Sequence, residues 1–287
     1  MDILCYFLFL LPKNLVSFCI GKILHAPLPA AFRGPAIRAF ARWYGVNTEE
    51  SAKPCDSYAS IGAFFTRELR EGCRPVGALF VSPVDGFLRN AGRVHEGRLP
   101  QVKGEGYTVA SLLKDSGGAE RFSEGSFFNL YLSPRDYHHV HSPIDGEVAA
   151  ARVIPGHLWP VNEWSLRRID GVFAQNERVV VYMDTTVGRV AVVMVGAFNV
   201  GRISVTFDTF ETNTALRGKA PGGFSVEYHP AKSVRAGDRL GTFHLGSSVI
   251  VLVEAGSPLS SAGRSFREPG PVRFGEALVL PPVPGSS

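Results

Sequence analysis

A serine that follows a glycine at the head of an apolar run can attack the peptide bond before it. Residues 243–253 hold that arrangement: Phe243-His244-Leu245-Gly246-Ser247-Ser248-Val249-Ile250-Val251-Leu252-Val253. Gly246 has no Cβ, so it tolerates backbone conformations that strain other residues and leaves its carbonyl open to the next side chain. The backbone itself would then be the substrate. Gly-Ser steps also serve as plain turn chemistry, so this one needs partners elsewhere. A serine hydroxyl is a weak nucleophile until a base takes its proton, and an imidazole held by a carboxylate is the usual base.

The imidazoles stand in Tyr131-Leu132-Ser133-Pro134-Arg135-Asp136-Tyr137-His138-His139-Val140-His141, which carries three of the chain's eight histidines in four positions. In an extended segment His139 and His141 share one face and His138 takes the other; in a turn or helix His138 and His141 come together. No HExxH frame or cysteine partner accompanies them, so no metal is expected. The carboxylate comes from a repeat. Ser82-Pro83-Val84-Asp85-Gly86 recurs as Ser142-Pro143-Ile144-Asp145-Gly146, a turn that opens a strand twice and implies duplicated hairpin units. Asp145 is read as a cap of its own turn. Asp85, one of the histidines and Ser247 would form an Asp-His-Ser relay, although spacing alone does not single them out.

Elements must carry these groups. At 287 residues, with 45% hydrophobic and 20% charged residues, the chain can bury a full core, and its 31 Gly and 20 Pro point to many turns and short strands. A net charge of +4 suits an anionic surface but falls short of a nucleic-acid binder's dense basic stripe. Cys5, Cys19, Cys55 and Cys73 lack metal-ligand spacing and fit a reducing compartment.

The apolar run at residues 3–11 is broken by Pro12, Lys13 and Asn14, well short of the roughly 20 residues a spanning helix needs. Only Met1 and Asp2 precede it, which argues against a secretion signal. Beyond the break, Leu15, Val16, Phe18, Ile20, Ile23 and Leu24 interleave with basic residues as amphipathic helices suited to a lipid interface or to the protein's own core. Helical spacing continues over residues 39–70, and from about Leu79 short Val/Ile/Phe/Tyr runs alternate with turns. The main boundary falls at residues 73–80.

Taken together, these residues carry a resemblance. Phe64-Phe65-Thr66-Arg67-Glu68-Leu69 with Arg74-Pro75, the Pro83-Val84-Asp85-Gly86 turn, residues 131–141, Pro155-Gly156, Phe173-Ala174-Gln175-Asn176-Glu177-Arg178, Val195-Gly196-Ala197 and Leu245-Gly246-Ser247-Ser248 occur in order, and the chain closely resembles the prokaryotic phosphatidylserine decarboxylases over nearly its whole length. That family usually has Leu-Gly-Ser-Thr at its cleavage site; Ser248 here keeps the hydroxyl.

The repeat and the β-rich run from residue 79 argue for an α+β protein in which N-terminal helices (residues 1–75) precede a β-rich, barrel-sandwich-like catalytic domain with duplicated hairpin motifs (residues 76–287), and the lipid substrate that the resemblance implies makes the helices membrane-associating. The resemblance implies self-cleavage between Gly246 and Ser247 into a β chain (1–246) and an α chain (247–287), with Ser247 becoming a covalent pyruvoyl group that forms a Schiff base with the substrate amine. No metal or external cofactor is implied. His141 would be the processing base, Asp85 would orient it, and His138 would return a proton to the substrate carbon after carbon dioxide leaves. The implied partners are phosphatidylserine in the membrane, the α and β chains of one proenzyme, and a second αβ unit in a homodimer, on the cytoplasmic face of the cell membrane and without nucleic acid.

Two rivals carry distinct expectations. A soluble pyruvoyl enzyme for a free amino acid would share the cleavage but not need the apolar N-terminus. A carrier domain of biotinyl, lipoyl or sugar-phosphotransferase type would need a modifiable lysine at a hairpin tip or a histidine for phosphate; no Met-Lys signature stands at such a turn, and the decarboxylase resemblance explains the histidines better. Lys103, in the 102–104 turn, reads as an exposed lysine rather than a phosphate ligand.

Overall fold

The computed structural model describes residues 12–100, 106–198, 202–213, 223–244, 246–260 and 265–280. The apolar run at 3–11, the turn at 102–104 and Leu245 lie outside the described residues. Seven α-helices run in chain order among them: α1 Lys13–His25, α2 Ala30–Tyr44, α3 Ile61–Phe65, α4 Val109–Leu113, α5 Ser116–Ala119, α6 Glu163–Leu166 and α7 Val172–Gln175. The strands are β1 Gly86–Arg93, β2 Arg98–Leu99, β3 Tyr107–Thr108, β4 Ser126–Leu132, β5 His139–His141, β6 Gly146–Ile154, β7 Arg178–Thr185, β8 Gly188–Val195, β9 Ile203–Val205, β10 Phe224–Val234, β11 Arg239–Phe243, β12 Ser247–Val253, β13 Ser265–Phe266, β14 Gly270–Val272 and β15 Val279–Leu280.

Eight strands form one antiparallel sheet in the order β10-β6-β7-β8-β12-β4-β1-β14, and β5-β11-β9 form a smaller one. The β12 strand lies in the interior of the large sheet, with β8 on one side and β4 on the other. All seven of its residues are buried. That explains an unbroken Val-Ile-Val-Leu-Val run in an antiparallel setting, where a half-exposed strand would alternate. Both faces are covered. Arg178 of β7 donates to the carbonyls of Leu112 and Ser111 in α4, so a helical layer lies on one side. Met194 of β8 points to the other, where a Cβ on Gly241 of β11 would stand 3.0 Å from its sulfur.

The expected barrel does not close. The sheet runs open from β10 to β14, and both edges are blunted. In β10 the register shifts between Glu227 and Lys232 around Pro230, while β14 contains Pro271 and follows Pro269. Proline has no N–H to offer a further strand, so neither edge can pair onward along its length.

The two Ser-Pro-x-Asp-Gly turns open β1 and β6 and are tied to each other. Val81 N–H donates to Pro143 O and His141 N–H to Pro83 O, both at 2.9 Å. In each turn the serine hydroxyl donates within the turn, Ser82 to Val84 O at 2.7 Å and Ser142 to Ile144 O at 2.6 Å. Asp85 accepts from Phe274 N–H at 2.8 Å and Asp145 from Ala236 N–H at 2.7 Å. Asp145 therefore fastens a distant segment instead of capping its own turn. The segments so fastened also match, as Arg273-Phe274-Gly275-Glu276 and Arg235-Ala236-Gly237-Asp238.

Helical spacing read over residues 39–70 resolves into the end of α2 and the short α3. Gly45 ends α2 at φ 71°, and the Ser60 hydroxyl caps α3 by accepting from Ala63 N–H. Ile37, Ala41, Val46, Tyr58 and Phe64 form an apolar cluster distinct from the main core around the sheet.

Truncating Ile250→Ala at the buried centre of β12 is expected to lower unfolding stability by about 2 to 5 kcal/mol, whereas Leu79→Ala at an exposed site should change it by at most about 0.5 kcal/mol. Urea denaturation of the two variants checks the contrast; equal losses would mean that β12 is not the packed centre of the sheet.

Candidate active site

Ser247 is the first residue of β12 and pairs with Leu132, the last residue of β4. Its side chain shares a face with Val249, whose register partner is Met194, so it points towards the layer holding β5 and β11. The hydroxyl oxygen is buried and has no hydrogen-bond partner. Such a group costs stability unless something uses it. Gly246, just before it, has a φ outside the left-handed region, and a Cβ there would meet Leu132 O at 3.4 Å and His138 Nε2 at 3.9 Å. Glycine thus leaves an open approach to its carbonyl here, without a left-handed bend.

His138 is fully buried next to that glycine. Its Nδ1 lies 2.9 Å from Asp136 O. A carbonyl can only accept, so Nδ1 carries the proton and Nε2 presents its lone pair. That nitrogen is buried and unpartnered. Burial pushes His138 down to about 3, against the pull of the Asp136 carbonyl and aided by the nearby Arg67 charge. The imidazole is therefore neutral at pH 7 with a free acceptor beside Gly246, the state a general base requires. The Phe65 ring, 4.0 Å away between centroids, closes its other side.

His141 is prepared in the same way but stands elsewhere. Its Nδ1–H donates to Gly237 O at 2.7 Å, its Nε2 has no partner, and burial pushes it down to about 4. The ring is stacked on Phe274 at 3.8 Å and on Tyr137 at 5.6 Å. Asp85 makes no hydrogen bond to it. The Asp85 carboxylate instead pairs with Arg74, Nε to Oδ1 at 2.9 Å and Nη2 to Oδ2 at 2.6 Å, and accepts from the Phe274 N–H. Asp85 thus touches His141 at one remove, by fixing the residue whose ring covers it. Hydrogen bonds from Arg74 to Asp85 and Glu50 outweigh burial and keep its guanidinium charged. His139 has both ring nitrogens occupied, by Thr242 Oγ1 at 2.7 Å and Thr66 O at 3.1 Å, which fits a structural role.

A cavity of about 500 Å³ opens at Gly246 and Ser247. Ile20 and Leu24 of α1 and Phe40 of α2 supply apolar wall, and Tyr131 and Asn162 supply polar groups. The N-terminal helices therefore roof the site. Among the described residues no group of three or more His, Cys, Asp or Glu is placed to hold a metal ion.

Glu177 was not singled out by residue type or spacing. In the sheet, Ser248, Val195 and Arg178 lie in one register row, and the next row continues through Ser247, Gly196 and Glu177, with Gly196 N–H donating to Glu177 O at 2.8 Å. A Cβ on Gly196 would stand 3.2 Å from that oxygen, a tight contact that glycine avoids. The Glu177 carboxyl is buried with one oxygen unpartnered, and burial pushes it up to about 7 despite a hydrogen bond with Thr212. Its only sequence signal is its place between Asn176 and Arg178.

The chain matches the family described as phosphatidylserine decarboxylase over residues 61–280. It is 44% identical over 250 residues to a protein of Anaeromyxobacter sp. (strain K), covering 86% of this chain and 88% of the relative. A Myxococcus xanthus protein is 42% identical over 247 residues, covering 85% and 86%, and one from Acidovorax ebreus is 38% identical over 275 residues, covering 94% and 95%. Each relative is named phosphatidylserine decarboxylase proenzyme.

Glu177 allows a check of the site's burial. A carboxyl whose folded value is raised to about 7 binds its proton more tightly folded than unfolded, so its contribution to stability is full below about 4.5 and is lost as pH rises through 7. Glu177→Gln cannot ionise, and the buried histidines titrate in both proteins and cancel. The urea midpoint of the parent relative to the variant is expected to fall between pH 5 and pH 8; a constant difference would mean that Glu177 is solvated.

Proposed function

We infer that this chain, which belongs to the phosphatidylserine decarboxylase family, cuts its own backbone between Gly246 and Ser247 and then removes carbon dioxide from phosphatidylserine. The observation that carries the site assignment is the buried, unpartnered Ser247 hydroxyl at the head of an interior strand, with the lone pair of His138 beside Gly246. In processing, Ser247 Oγ adds to the Gly246 carbonyl carbon as a base takes its proton. The C–N bond breaks, the proton passes to the freed amine, and the chain continues through an ester. Elimination of the residue 1–246 carboxylate leaves dehydroalanine, and its hydrolysis releases ammonia and leaves a pyruvoyl group at position 247.

His141 is assigned as the processing base by the family resemblance, with its neutral state and free Nε2 in support, while His138 is the ring that lies beside Gly246. Asp85 is assigned to positioning, supported by its hold on Phe274, whose ring lies on His141. The pyruvoyl group supplies the electron sink for the pair left when carbon dioxide departs. The residues around Ser247 fit it: the cavity has a largely apolar wall, and His138 presents an unpartnered nitrogen beside Gly246. His138 is assigned to carry the proton that returns to the substrate carbon.

The enzyme is placed peripherally on the cytoplasmic face of the cell membrane. Ile23, Phe32 and Trp43 on α1 and α2 are 72, 64 and 85% exposed, on the same helices that wall the cavity through Ile20, Leu24 and Phe40. Exposed Lys22 and Arg42 add attraction to an anionic surface, each on the order of 1 kcal/mol. No described helix is long and apolar enough to cross a membrane. Residues 1–75 are read as the membrane-facing unit and 76–287 as the catalytic one, supported by the separate apolar cluster of α2 and α3. The two Asp-Gly turns are read as copies of one unit, supported by their matching hydrogen bonds. The homodimer of αβ units rests on the family resemblance alone.

Intact mass after denaturing electrophoresis is expected to give two pieces, the smaller beginning at a pyruvoyl-blocked position 247, and a single uncut chain from Ser247→Ala. In the same assay His141→Gln should stay uncut, while His138→Gln should be cut yet decarboxylate at least about a hundredfold more slowly. Cleavage of Ser247→Ala at 246 would remove the reading.

Flotation with vesicles containing phosphatidylserine checks the membrane face. The parent should float, and the combined Ile23→Ser, Phe32→Ser, Trp43→Ser variant should stay in solution while still cutting itself; equal flotation would place the docking surface elsewhere.

A further inference from the structure

A second cavity of about 500 Å³ adjoins the one at Ser247, and the two share Tyr131 and Asn162 as walls. Arg89 lies on its lining at the bulge where the β1 register shifts between Leu88 and Asn90. Its Nη2 donates at 2.8 Å to the carbonyl of Val161, a residue of the Ser247 cavity, and its guanidinium lies 4.3 Å over the Tyr131 ring. Its Nη1 is buried and has no partner. A buried guanidinium nitrogen with nothing to donate to is costly unless an acceptor is supplied from outside the chain.

The other charges of this cavity are already matched. Asp136 accepts from the Ser133 N–H at 2.7 Å and hydroxyl at 2.8 Å, and lies 3.7 Å from the Arg135 guanidinium. Glu163 pairs with Arg167 at 3.0 Å. Among the described residues no carboxylate lies within ion-pair distance of Arg89. Arg135, 3.7 Å from Asp136 and otherwise exposed, stands on the same lining with its remaining guanidinium nitrogens free to meet an anion. A guanidinium fork suits a phosphate oxygen pair better than a point charge does.

We propose that Arg89, with Arg135 beside it, binds the phosphodiester of the substrate head group while the serine moiety occupies the adjoining Ser247 cavity. The assignment rests on the reading above that Ser247 receives that head group. Strands β1 and β12 flank β4; the bulge that carries Arg89 lies opposite Leu130 and Asn129 of β4 and Ser247 opposite Leu132, and the Arg89 guanidinium, lying over the Tyr131 ring, stands against the residue next to Leu132. In the head group two carbons and one oxygen separate the amine nitrogen from phosphorus. The substrate's other anion, its carboxylate, is the poorer partner: it must lose its charge as carbon dioxide, and an ion pair would stabilise the state before that loss.

The test compares the cleaved parent with Arg89→Gln and Arg89→Lys, measuring kcat and KM on phosphatidylserine in mixed micelles. It also measures inhibition by sn-glycero-3-phosphoethanolamine, which keeps the phosphodiester but has no carboxylate, and by inorganic phosphate. Arg89→Gln is expected to raise KM and the inhibition constant of the glycerophosphoethanolamine together by on the order of tenfold or more, with kcat within a few-fold and Arg89→Lys intermediate. An unchanged inhibition constant, with KM raised, would hand Arg89 to the carboxylate and overturn the proposal. Equal inhibition by inorganic phosphate would assign the site to free phosphate and overturn the head-group assignment. Self-cleavage of each variant reports folding; if Arg89→Gln does not cleave, Arg89→Lys and Arg135→Gln are read alone, and unchanged constants in both overturn the proposal. A parent that cleaves but does not act on phosphatidylserine would instead sink the functional reading on which it stands.

Discussion

A backbone can be broken without losing the fold only where something other than the broken bond holds both sides of the cut. Here that constraint is met by β12, paired along its length with β4 and β8 and buried on both faces. A cut before Ser247 leaves every one of those pairings in place, and the following residues add β14 at the sheet edge against β1. The strand also decides what Ser247 can do. As the first residue of an interior strand its side chain is driven towards the β5 and β11 layer, away from water and next to His138, and its hydroxyl finds no protein acceptor there.

Burial prepares the bases as well as the nucleophile. His138 and His141 each give their Nδ1 proton to a backbone carbonyl, so each tautomer is set by main chain, and burial holds both rings neutral at pH 7. Main-chain acceptors cannot titrate, so this arrangement does not depend on the ionisation of a neighbouring side chain. The two tied turns place it. The His141 N–H is bonded to Pro83 O of the first turn, and Asp85 of that turn holds Phe274 against the His141 ring. Arg74 pairs with Asp85, and burial of the His141 ring outweighs the upward pull of the Glu68 carboxylate.

Much of this was legible in the residues. The Gly246-Ser247 step, the histidine cluster, the Asp85 turn and the change from helical to strand spacing near residue 79 are local patterns, and local patterns survive in a single sequence. What pairs across the fold does not. Alternation along 138–141 left open which histidine meets Ser247, and the answer depends on the β12 register and on the Asp136 carbonyl. The repeated Asp-Gly turn suggested closure into a barrel, but Pro230, Pro269 and Pro271 stop the edges, and their effect depends on knowing which strands are edges. Arg89 was invisible for the same reason, and Glu177 showed only as a member of the 173–178 motif. Each becomes notable only because a partner is missing across a strand, and a missing partner leaves no mark in the sequence.

The N-terminal helices carry the final step of the synthesis. Ile20, Leu24 and Phe40 are wall of the Ser247 cavity, while Ile23, Phe32 and Trp43 on the same two helices remain bare. An enzyme for a free amino acid would need the first surface and gain nothing from the second. A substrate whose reacting end is charged and whose other end stays in a bilayer would use both at once: bare apolar side chains to meet the membrane, and a cavity beside them. One pair of described helices, neither long and apolar enough to cross a membrane, carries both sets of side chains.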